Sequence, residues 1–429
     1  MKLREWYALR GPKFVFQRGS RLLERYGLSS YKATRRIDHC LETLAQYGCA
    51  PTLPTPAVIV QRYPRFIRRL QDAGAEIAVH GYQHVDLNAY PLKEAVEQLE
   101  KAARTFDRLG IGVHGFRCPY VGCRAKLLDA LPPGLFRYSS NETICWDLPH
   151  CDQAMHRGIF YNTLDKFYHA KTASDTVCVP WNRSNLVEIP ACVPDDLQLR
   201  DGLQLSAAGI TQAWKHILHQ THQRGELFTL LFHTEMAALY EVPFVEILGE
   251  AKRLQPSVWF ARLRDIADWW REKSNFKIEI IPITTGLNLH FTYTPRATIL
   301  VRGLDNIGSV PIWDEGYHRL KSNVLEISTN PRPLVGLAAS ASERMVTFLH
   351  EQGYILDTGE TASSCGTYLD KDTLSKLTND RELVNYIETS PAPLVRFWRW
   401  PDGNKSAICI TGDLDALSLR DYASRLFAT

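Results

Sequence analysis

The chain has 429 residues, of which 45% are hydrophobic and 23% charged, and it carries a formal net charge of +3. This length and composition are ordinary for a globular protein with a sizeable core and more than one module. The small net charge argues against a nucleic-acid-binding protein, and no apolar run approaches the roughly 18 residues of a membrane span.

The N-terminus and the cysteines together predict a cytoplasmic protein. Residues 1–16 lack the sustained apolar core and the small-residue cleavage site of a secretory signal. Ten cysteines without regular spacing favour reduced thiols over a disulfide framework. No feature of the sequence selects an oligomeric state.

The first part of the chain alternates between helical and strand patterns. Apolar residues recur at helical spacing in 34–47, 64–73 and 91–109, and each of these segments predicts a helix. An extended segment is predicted at 51–60, and a buried strand ends at His80. Strands that alternate with helices predict an α/β fold with a parallel sheet.

This strand delivers two imidazoles to its carboxyl end. The apolar run that begins at Ala75 stops at His80, Gly81 follows, and His84 lies four residues after His80. Neutral imidazole is a common zinc ligand, and this short spacing lets both rings converge on one ion. A polar loop without a metal is the alternative interpretation of these two histidines alone.

A second motif follows the helix at 91–109 and reads Gly115-Phe116-Arg117-Cys118-Pro119-Tyr120. The order of strand, His-Gly-x-x-His, amphipathic helix and this motif resembles the polysaccharide deacetylase family, the NodB-like carbohydrate esterases. The resemblance runs from Thr34 to Tyr120. It implies a distorted (β/α) barrel and a hydrolase that removes N-acetyl groups from a sugar or polysaccharide. It also implies a divalent metal cofactor, zinc before others, and a carbohydrate substrate.

The next hundred residues carry a further candidate. A helix is predicted at 124–131, a strand at 135–140, and an irregular region at 141–202 that is interpreted as a cleft wall or as a decorative insertion. A helix at 207–223 precedes the apolar strand from Glu226 to His233. In the family a late strand that ends in Leu-x-His brings the general acid, and Leu231-Phe232-His233 matches this pattern. A purely structural histidine is the alternative.

The composition changes after two helices predicted at 245–254 and 259–272. Short segments between 276 and 327 alternate apolar and polar residues and are separated by Gly, Pro and Asn, which predicts an antiparallel β unit. Helices follow at 340–352 and 378–389. Residues 394–400 and the strand from Ser406 are predicted to form a hairpin around the turn at 401–404.

One family motif is missing from its expected place. The family opens with a strand that carries Thr-Phe-Asp-Asp-Gly, whose aspartates serve as base and metal ligand, and nothing similar precedes His80. Near the other end an apolar strand runs into Thr411-Gly412-Asp413-Leu414-Asp415. Residues i and i+2 of a strand share a face, so Asp413 and Asp415 can face one site.

We therefore predict a circularly permuted barrel. Residues 393–429 would complete the barrel of residues 1–275, and residues 276–392 would form an inserted, smaller β-rich module. The alternatives are that the two acids cap a surface turn, or that the chain is a fragment.

The resemblance implies a role for each candidate residue. His80, His84 and Asp415 would bind the metal, Asp413 would act as base, His233 as acid, Arg117 would orient Asp413, and the Tyr120 backbone N–H would bind the oxyanion. Arg117 could instead serve a structural salt bridge. Two other functions stay open: a degenerate barrel that binds glycans or a protein partner through Trp146, Trp181 and Trp398, and a hydrolase of a non-sugar C–N amide.

Overall fold

A twelve-stranded, mostly parallel sheet forms a curled half-barrel, in the α/β architecture expected of a NodB-type barrel. The structure is a computed structural model and describes residues 25–148, 168–284, 286–304, 311–328 and 331–424. Residues 1–16, from which the absence of a secretory signal was predicted, therefore lie outside the described residues, as do residues 149–167 of the predicted cleft wall.

The strands of the sheet come from both ends of the chain. They are β1 (Thr52–Thr55), β2 (Glu76–Val79), β3 (Gly115–Phe116), β4 (Tyr138–Ser139), β5 (Thr143–Cys145), β6 (Lys171–Thr172), β7 (Trp181–Arg183), β8 (Leu186–Glu188), β9 (Ala191–Val193), β10 (Leu227–His233), β11 (Val258–Phe260) and, after the strands of the accessory sheets, β22 (Ser406–Asp413). Their order is β6-β5-β9-β10-β22-β1-β2-β3-β4-β8-β7, and β11 also pairs with β22. The central strands are buried along almost their whole length, as expected where helices cover a parallel sheet.

Amphipathic helices cover this sheet. They are α1 (Tyr31–Ala45), α2 (Ala57–Arg62), α3 (Pro64–Asp72), α4 (Leu92–Arg108), α5 (Ala125–Ala130), α6 (Ala207–Gln223), α7 (Glu241–Arg253) and α8 (Leu263–Lys273). Each longer helix buries one apolar stripe; α4, for example, buries Leu99 and Phe106 completely. No helix among the described residues is long and apolar enough to cross a bilayer.

The strand β22 lies between β10 and β1. It pairs in parallel with β10 over seven residues, from Ala407 opposite Leu227 to Asp413 opposite His233, and its Thr411 lies opposite Thr52 of β1. The C-terminal strand thus occupies the centre of a sheet whose neighbouring strands are far away in the sequence. Its carboxyl end lies at the same edge of the sheet as those of β2 and β10.

The described residues between 277 and 397 contribute three smaller sheets. Their strands are β12 (Lys277–Ile283), β13 (Gly286–Thr292), β14 (Ile299–Arg302), β15 (Ile312–Asp314), β16 (Tyr317–Leu320), β17 (Val324–Ile327), β18 (Arg332–Leu337), β19 (Leu356–Asp357), β20 (Cys365–Leu369) and β21 (Leu394–Phe397). The sheets β12-β13-β17 and β15-β16-β14-β21 are antiparallel. The third, β19-β18-β20, is parallel and lies outside residues 276–327, for which the antiparallel unit was predicted. The helices of this part are α9 (Glu343–Glu351), α10 (Lys371–Lys376) and α11 (Asp380–Thr389), and α12 (Leu419–Ser424) follows β22.

The prediction of a hairpin at residues 394–413 was wrong. The strand β21 pairs antiparallel with β14, whereas β22 joins the half-barrel. The connection between them is anchored by buried indoles, because Trp398 Nε1 donates to the Lys405 carbonyl at 3.1 Å and Trp400 Nε1 to the Gly225 carbonyl at 2.9 Å. These contacts fix a connection that leads from one sheet to the other, so the two strands do not form a hairpin.

Three local predictions also need correction. Residues 51–60 contain the strand β1 followed by the helix α2, and the helix predicted at 259–272 begins later, after β11. The region 141–202, expected to be irregular, contains β5 to β9 within its described residues. Strands of two or three residues are too short to show a period in the sequence.

Candidate metal and catalytic site

The site forms where three parallel strands end. His80 follows β2 directly, while Asp413 and His233 are the last residues of β22 and β10 and lie opposite each other in the sheet register. Asp415 lies two residues beyond the end of β22. The fold therefore brings side chains from the two ends of the sequence to one edge.

His80 has the hydrogen bonding of a metal ligand. Its side chain is fully buried, and its Nδ1 lies 2.8 Å from the carbonyl oxygen of Arg117. A carbonyl only accepts, so Nδ1 is the donor of this hydrogen bond and Nε2 is the ring nitrogen that can face a metal. This buried Nε2 makes no hydrogen bond, and it lies 3.5 Å from Oδ1 of Asp415. A carbonyl that accepts a hydrogen bond from one ring nitrogen, while the other nitrogen faces the ion, is typical of metal-binding histidines.

His84 and Asp415 complete a compact donor set. His84 Nε2 lies 3.2 Å from Asp415 Oδ1, and one donor atom from each of His80, His84 and Asp415 lies within 4.8 Å of the others. Tetrahedral zinc with ligands at about 2.1 Å places neighbouring donors about 3.4 Å apart. Two imidazoles and one carboxylate therefore fit zinc and leave a position open for water or substrate.

Gly81 makes the turn between the two histidines possible. Its φ is +76°, and a Cβ at this position would lie 2.8 Å from the Gln83 carbonyl oxygen. A larger residue would strain the backbone that aims both imidazoles at one point.

Arg117 fixes the orientation of Asp413. Its guanidinium is fully buried and donates from one nitrogen to Asp413 Oδ1 at 2.9 Å and to Thr411 Oγ1 at 3.0 Å. The other two nitrogens donate to the hydroxyl and the carbonyl of Ser140, at 2.9 and 3.1 Å. Asp413 Oδ2 lies 3.7 Å from His80 Nε2. One oxygen of Asp413 is thus held by Arg117, and the other faces the donor set.

His233 has a carboxylate partner, Asp196, to which the sequence analysis gave no role. Its Nδ1 lies 2.7 Å from Asp196 Oδ1, and its backbone N–H donates to Asp196 Oδ2 at 3.0 Å. Burial lowers the pKa of His233, but the charge and hydrogen bond of Asp196 outweigh burial and raise this pKa to about 10. His233 is thus held as a protonated imidazolium, the form that a general acid needs.

A signal for Asp196 does exist in the sequence. The pair Asp195-Asp196 follows the apolar residues of β9 after one proline, much as Asp415 follows β22 after one leucine. Both side chains are buried. Burial, together with the charge of Asp196, raises the pKa of Asp195 to about 7. Two adjacent buried acids at a strand end are uncommon without a function.

The Tyr120 segment has an unusual backbone. Tyr120 and Val121 have φ of 61° and 53°, a left-handed conformation that is uncommon for residues other than glycine. The segment is anchored by the Cys118 N–H, which donates to Asn141 Oδ1 at 2.7 Å. The Tyr120 ring is half exposed and meets the His84 ring edge to face, with centroids 4.7 Å apart. The structure therefore brings the Tyr120 segment to the rim of the donor set.

Two of the three tryptophans that were expected to bind a glycan are buried. Trp146 and Trp398 are 2% and 7% exposed, so neither can stack on a glycan, and that prediction was wrong for both. Trp398 is packed against the Trp313 ring, with centroids 5.0 Å apart. Trp181 is partly exposed.

Comparison with known proteins gives the following matches. No curated protein sequence matches the chain. Among solved structures, a Mycobacterium smegmatis protein assigned to the polysaccharide deacetylases has 21% identity and a TM-score of 0.42, covering 57% of this chain and 79% of its own. The Puue allantoinase has 18% identity and a TM-score of 0.41, with 56% and 72% covered. The peptidoglycan deacetylase PdaC from Bacillus subtilis has 16% identity and a TM-score of 0.33, with 56% and 87% covered.

A family model matches one segment of the chain. The polysaccharide deacetylase model matches residues 29–131, which include α1 to α5, both candidate histidine ligands and the Arg117 motif. This segment of the chain is therefore similar to the polysaccharide deacetylase family.

Proposed function

We propose that this protein hydrolyses N-acetyl groups on a sugar or polysaccharide with the help of a bound divalent metal, zinc before others. The observation that carries the proposal is the buried Nε2 of His80. This atom makes no hydrogen bond, and it faces the carboxylate of Asp415 beside His84. A buried nitrogen without a partner is costly unless a ligand of another kind occupies the space in front of it.

The proposed metal ligands are His80, His84 and Asp415. A divalent ion bound to them would supply Lewis-acid polarisation of an amide carbonyl. All other steps belong to side chains of the protein.

Asp413 is the proposed general base. Its Oδ1 accepts a charge-assisted hydrogen bond from Arg117, which leaves Oδ2 to accept the proton of the attacking water. Arg117 orients this carboxylate and does not itself touch the substrate.

His233 is the proposed general acid. With Nδ1 held by Asp196, its Nε2–H can donate a proton to the leaving amine. The backbone N–H of Tyr120 is the proposed donor to the oxyanion of the tetrahedral intermediate. Acid and base thus come from neighbouring strands, β10 and β22.

The domain division into residues 1–275, 276–392 and 393–429 is part of the same proposal, as is circular permutation. Both are supported by the position of β22 between β10 and β1. Cytoplasmic location stays a prediction from the sequence.

The experiment is an acetate-release assay on N-acetylglucosamine oligomers, with simple and cyclic amides as a comparison panel. We expect acetate release from the sugar, its loss on chelation, and its return with added zinc. Protein that carries stoichiometric zinc and hydrolyses no sugar substrate would contradict the proposal. Turnover of the non-sugar amides alone would assign the site to the alternative C–N hydrolase.

A further inference from the structure

The loops that follow β10 and β22 extend beyond the pairing of these two strands. The parallel register ends where His233 lies opposite Asp413. The proposed metal ligand Asp415 lies two residues further along the chain, and a turn of residues 234–239 leads away from His233. The pairing of β10 with β22 therefore does not reach Asp415.

An ion pair joins the turn after His233 to the segment that precedes α1. Nε of Arg25 donates to Oε1 of Glu235 at 2.7 Å, and a second guanidinium nitrogen donates to the same oxygen. The hydroxyl of Tyr26 also donates to this oxygen, at 3.0 Å. The Glu235 side chain is fully buried, that of Arg25 is 21% exposed, and Oε2 of Glu235 makes no hydrogen bond among the described residues. Arg25 and Tyr26 thus stabilise a buried carboxylate two residues after the proposed acid.

The same segment contacts the part of the chain that follows β22. The backbone N–H of Leu419 donates to the Gly27 carbonyl at 2.8 Å, and the Tyr26 ring stacks on the Tyr422 ring with centroids 5.0 Å apart. Leu419 begins α12, four residues after Asp415. The segment therefore bridges the loops that follow β10 and β22.

Two further hydrogen bonds fix the turn that carries Glu235. One nitrogen of Arg36 donates to the carbonyl oxygens of Arg25 and Glu235, at 3.0 and 2.8 Å. The hydroxyl of Thr234 donates to the carbonyl oxygen of Asp413 at 3.3 Å. The turn is thus bound on one side to the segment before α1 and on the other to the backbone of the proposed base.

The charges of the pair act on the proposed site. Burial lowers the pKa of Arg25, but negative charges, that of Glu235 first and that of Asp415 among them, outweigh burial and raise it. Against the effect of burial, the charge of Asp196 and, to a smaller extent, that of Glu235 raise the pKa of His233. The pair therefore lies close enough to the acid and to the metal ligand to interact with both.

We propose that Arg25 and Glu235 are positioning residues of the proposed deacetylase, and that their ion pair keeps His233 at a fixed distance from Asp415. This inference rests on the proposed function. The pair acts through the two loops that it joins and does not itself touch the substrate. A displacement of about 1 Å between reacting groups can cost about 10²-fold in rate, so the loss of such a support should be visible in kcat.

The test measures kcat for acetate release, the urea midpoint of unfolding and bound zinc, with kcat taken where each variant is folded. Arg25→Met leaves Glu235 buried without its counter-charge, so both the midpoint and kcat should fall. Arg25→Met/Glu235→Gln leaves no unpaired buried charge, and the new amide can still accept from Tyr26. This double variant should regain most of the stability, while its kcat stays about tenfold or more below that of the wild type. Both variants should keep their zinc.

Arg381→Met is the matched control, because Arg381 pairs with the fully buried Glu226 near the opposite end of β10. It should lower the urea midpoint and leave kcat unchanged. The inference is overturned if Arg25→Met has wild-type kcat, or if the double variant regains kcat together with stability, since the pair would then be purely structural. Loss of zinc from the double variant would also overturn it, because an empty metal site would then explain the lower rate.

Failure of the proposed function gives a different result. Wild-type protein that releases no acetate from any N-acetyl sugar would overturn the proposed function, and this inference with it. Active wild-type protein whose double variant is equally active would overturn this inference alone.

Discussion

Nε2 of His84 lies 3.2 Å from Oδ1 of Asp415, although the two residues come from opposite ends of the chain. The parallel pairing of β22 with β1 and β10 produces this contact. The imidazoles of His80 and His84 come from the segment that matches the family model, whereas Asp413 and Asp415, at and just beyond the end of β22, lie outside it. A working site would require both, so the C-terminal strand is the element on which the functional proposal depends.

Replacing Asp413 with Asn should lower kcat while the protein keeps its metal. The amide preserves the shape of the side chain but cannot take a proton from water, and general-base catalysis contributes about 10²–10⁴-fold. Steady-state kinetics and elemental analysis of the same preparation would measure both quantities. Loss of the metal together with activity would instead place Asp413 among the ligands.

Arg117→Met should destabilise the fold by about 3–5 kcal/mol, because Asp413 would be left buried without its charge partner. Urea unfolding followed by circular dichroism would measure this free energy. The matched control is Arg69→Met, whose partner is the partly exposed Asp38 and which should cost about 0–1 kcal/mol. Equal losses for the two variants would be inconsistent with a buried pair at Asp413.

The pair of His233 and Asp196 should make stability depend on pH. The pKa of His233 is 6.5 unperturbed and about 10 in the fold. Because the fold favours the protonated form of His233, the pair contributes its full stabilisation below pH 6.5. This contribution to the free energy of unfolding is lost as the pH rises through 10. Asp196→Asn should remove most of this contribution. Unfolding free energies of both proteins across this range would test it, and identical pH profiles would contradict the assignment.

Arg381 of α11 should act as a link between the accessory sheets and the half-barrel. Its guanidinium makes a bidentate pair with the fully buried Glu226, which directly precedes β10, with one of the bonds at 3.0 Å. Arg381→Met should therefore cost about 3–5 kcal/mol in the free energy of unfolding.

The exposed pair of Arg344 with Asp380 is the control for this link. Arg344→Met should change the free energy of unfolding by about 0–1 kcal/mol. A small effect of Arg381→Met in the same assay would show that other contacts hold the accessory part in place.

Sequence patterns predicted the long elements well. The helix α6 and the strand β10 match their predicted positions to within one residue, because a clear period and polar ends delimit both. The position of Asp413 at a strand end followed from the same logic.

What escaped prediction depends on contacts between distant segments. The strand β21 was assigned to the wrong partner because the turn that follows it is a local signal. The hydrogen bonds of the buried Trp398 and Trp400, which hold the connection to β22, are tertiary contacts that a local signal does not contain. Asp196 lies in a loop without periodicity, and its role is visible only once β9 and β10 lie side by side. The short strands β5 to β9 carry too few residues to form a pattern.

The central claim is that Asp415 shares one metal ion with His80 and His84, and the metal content of purified protein after equilibration with zinc tests it most directly. The account predicts about one zinc per chain in the wild type and in the exposed-turn control Asp402→Ala, and a comparable loss of zinc in His80→Ala and Asp415→Ala. Asp415→Ala protein that retains wild-type zinc would contradict it.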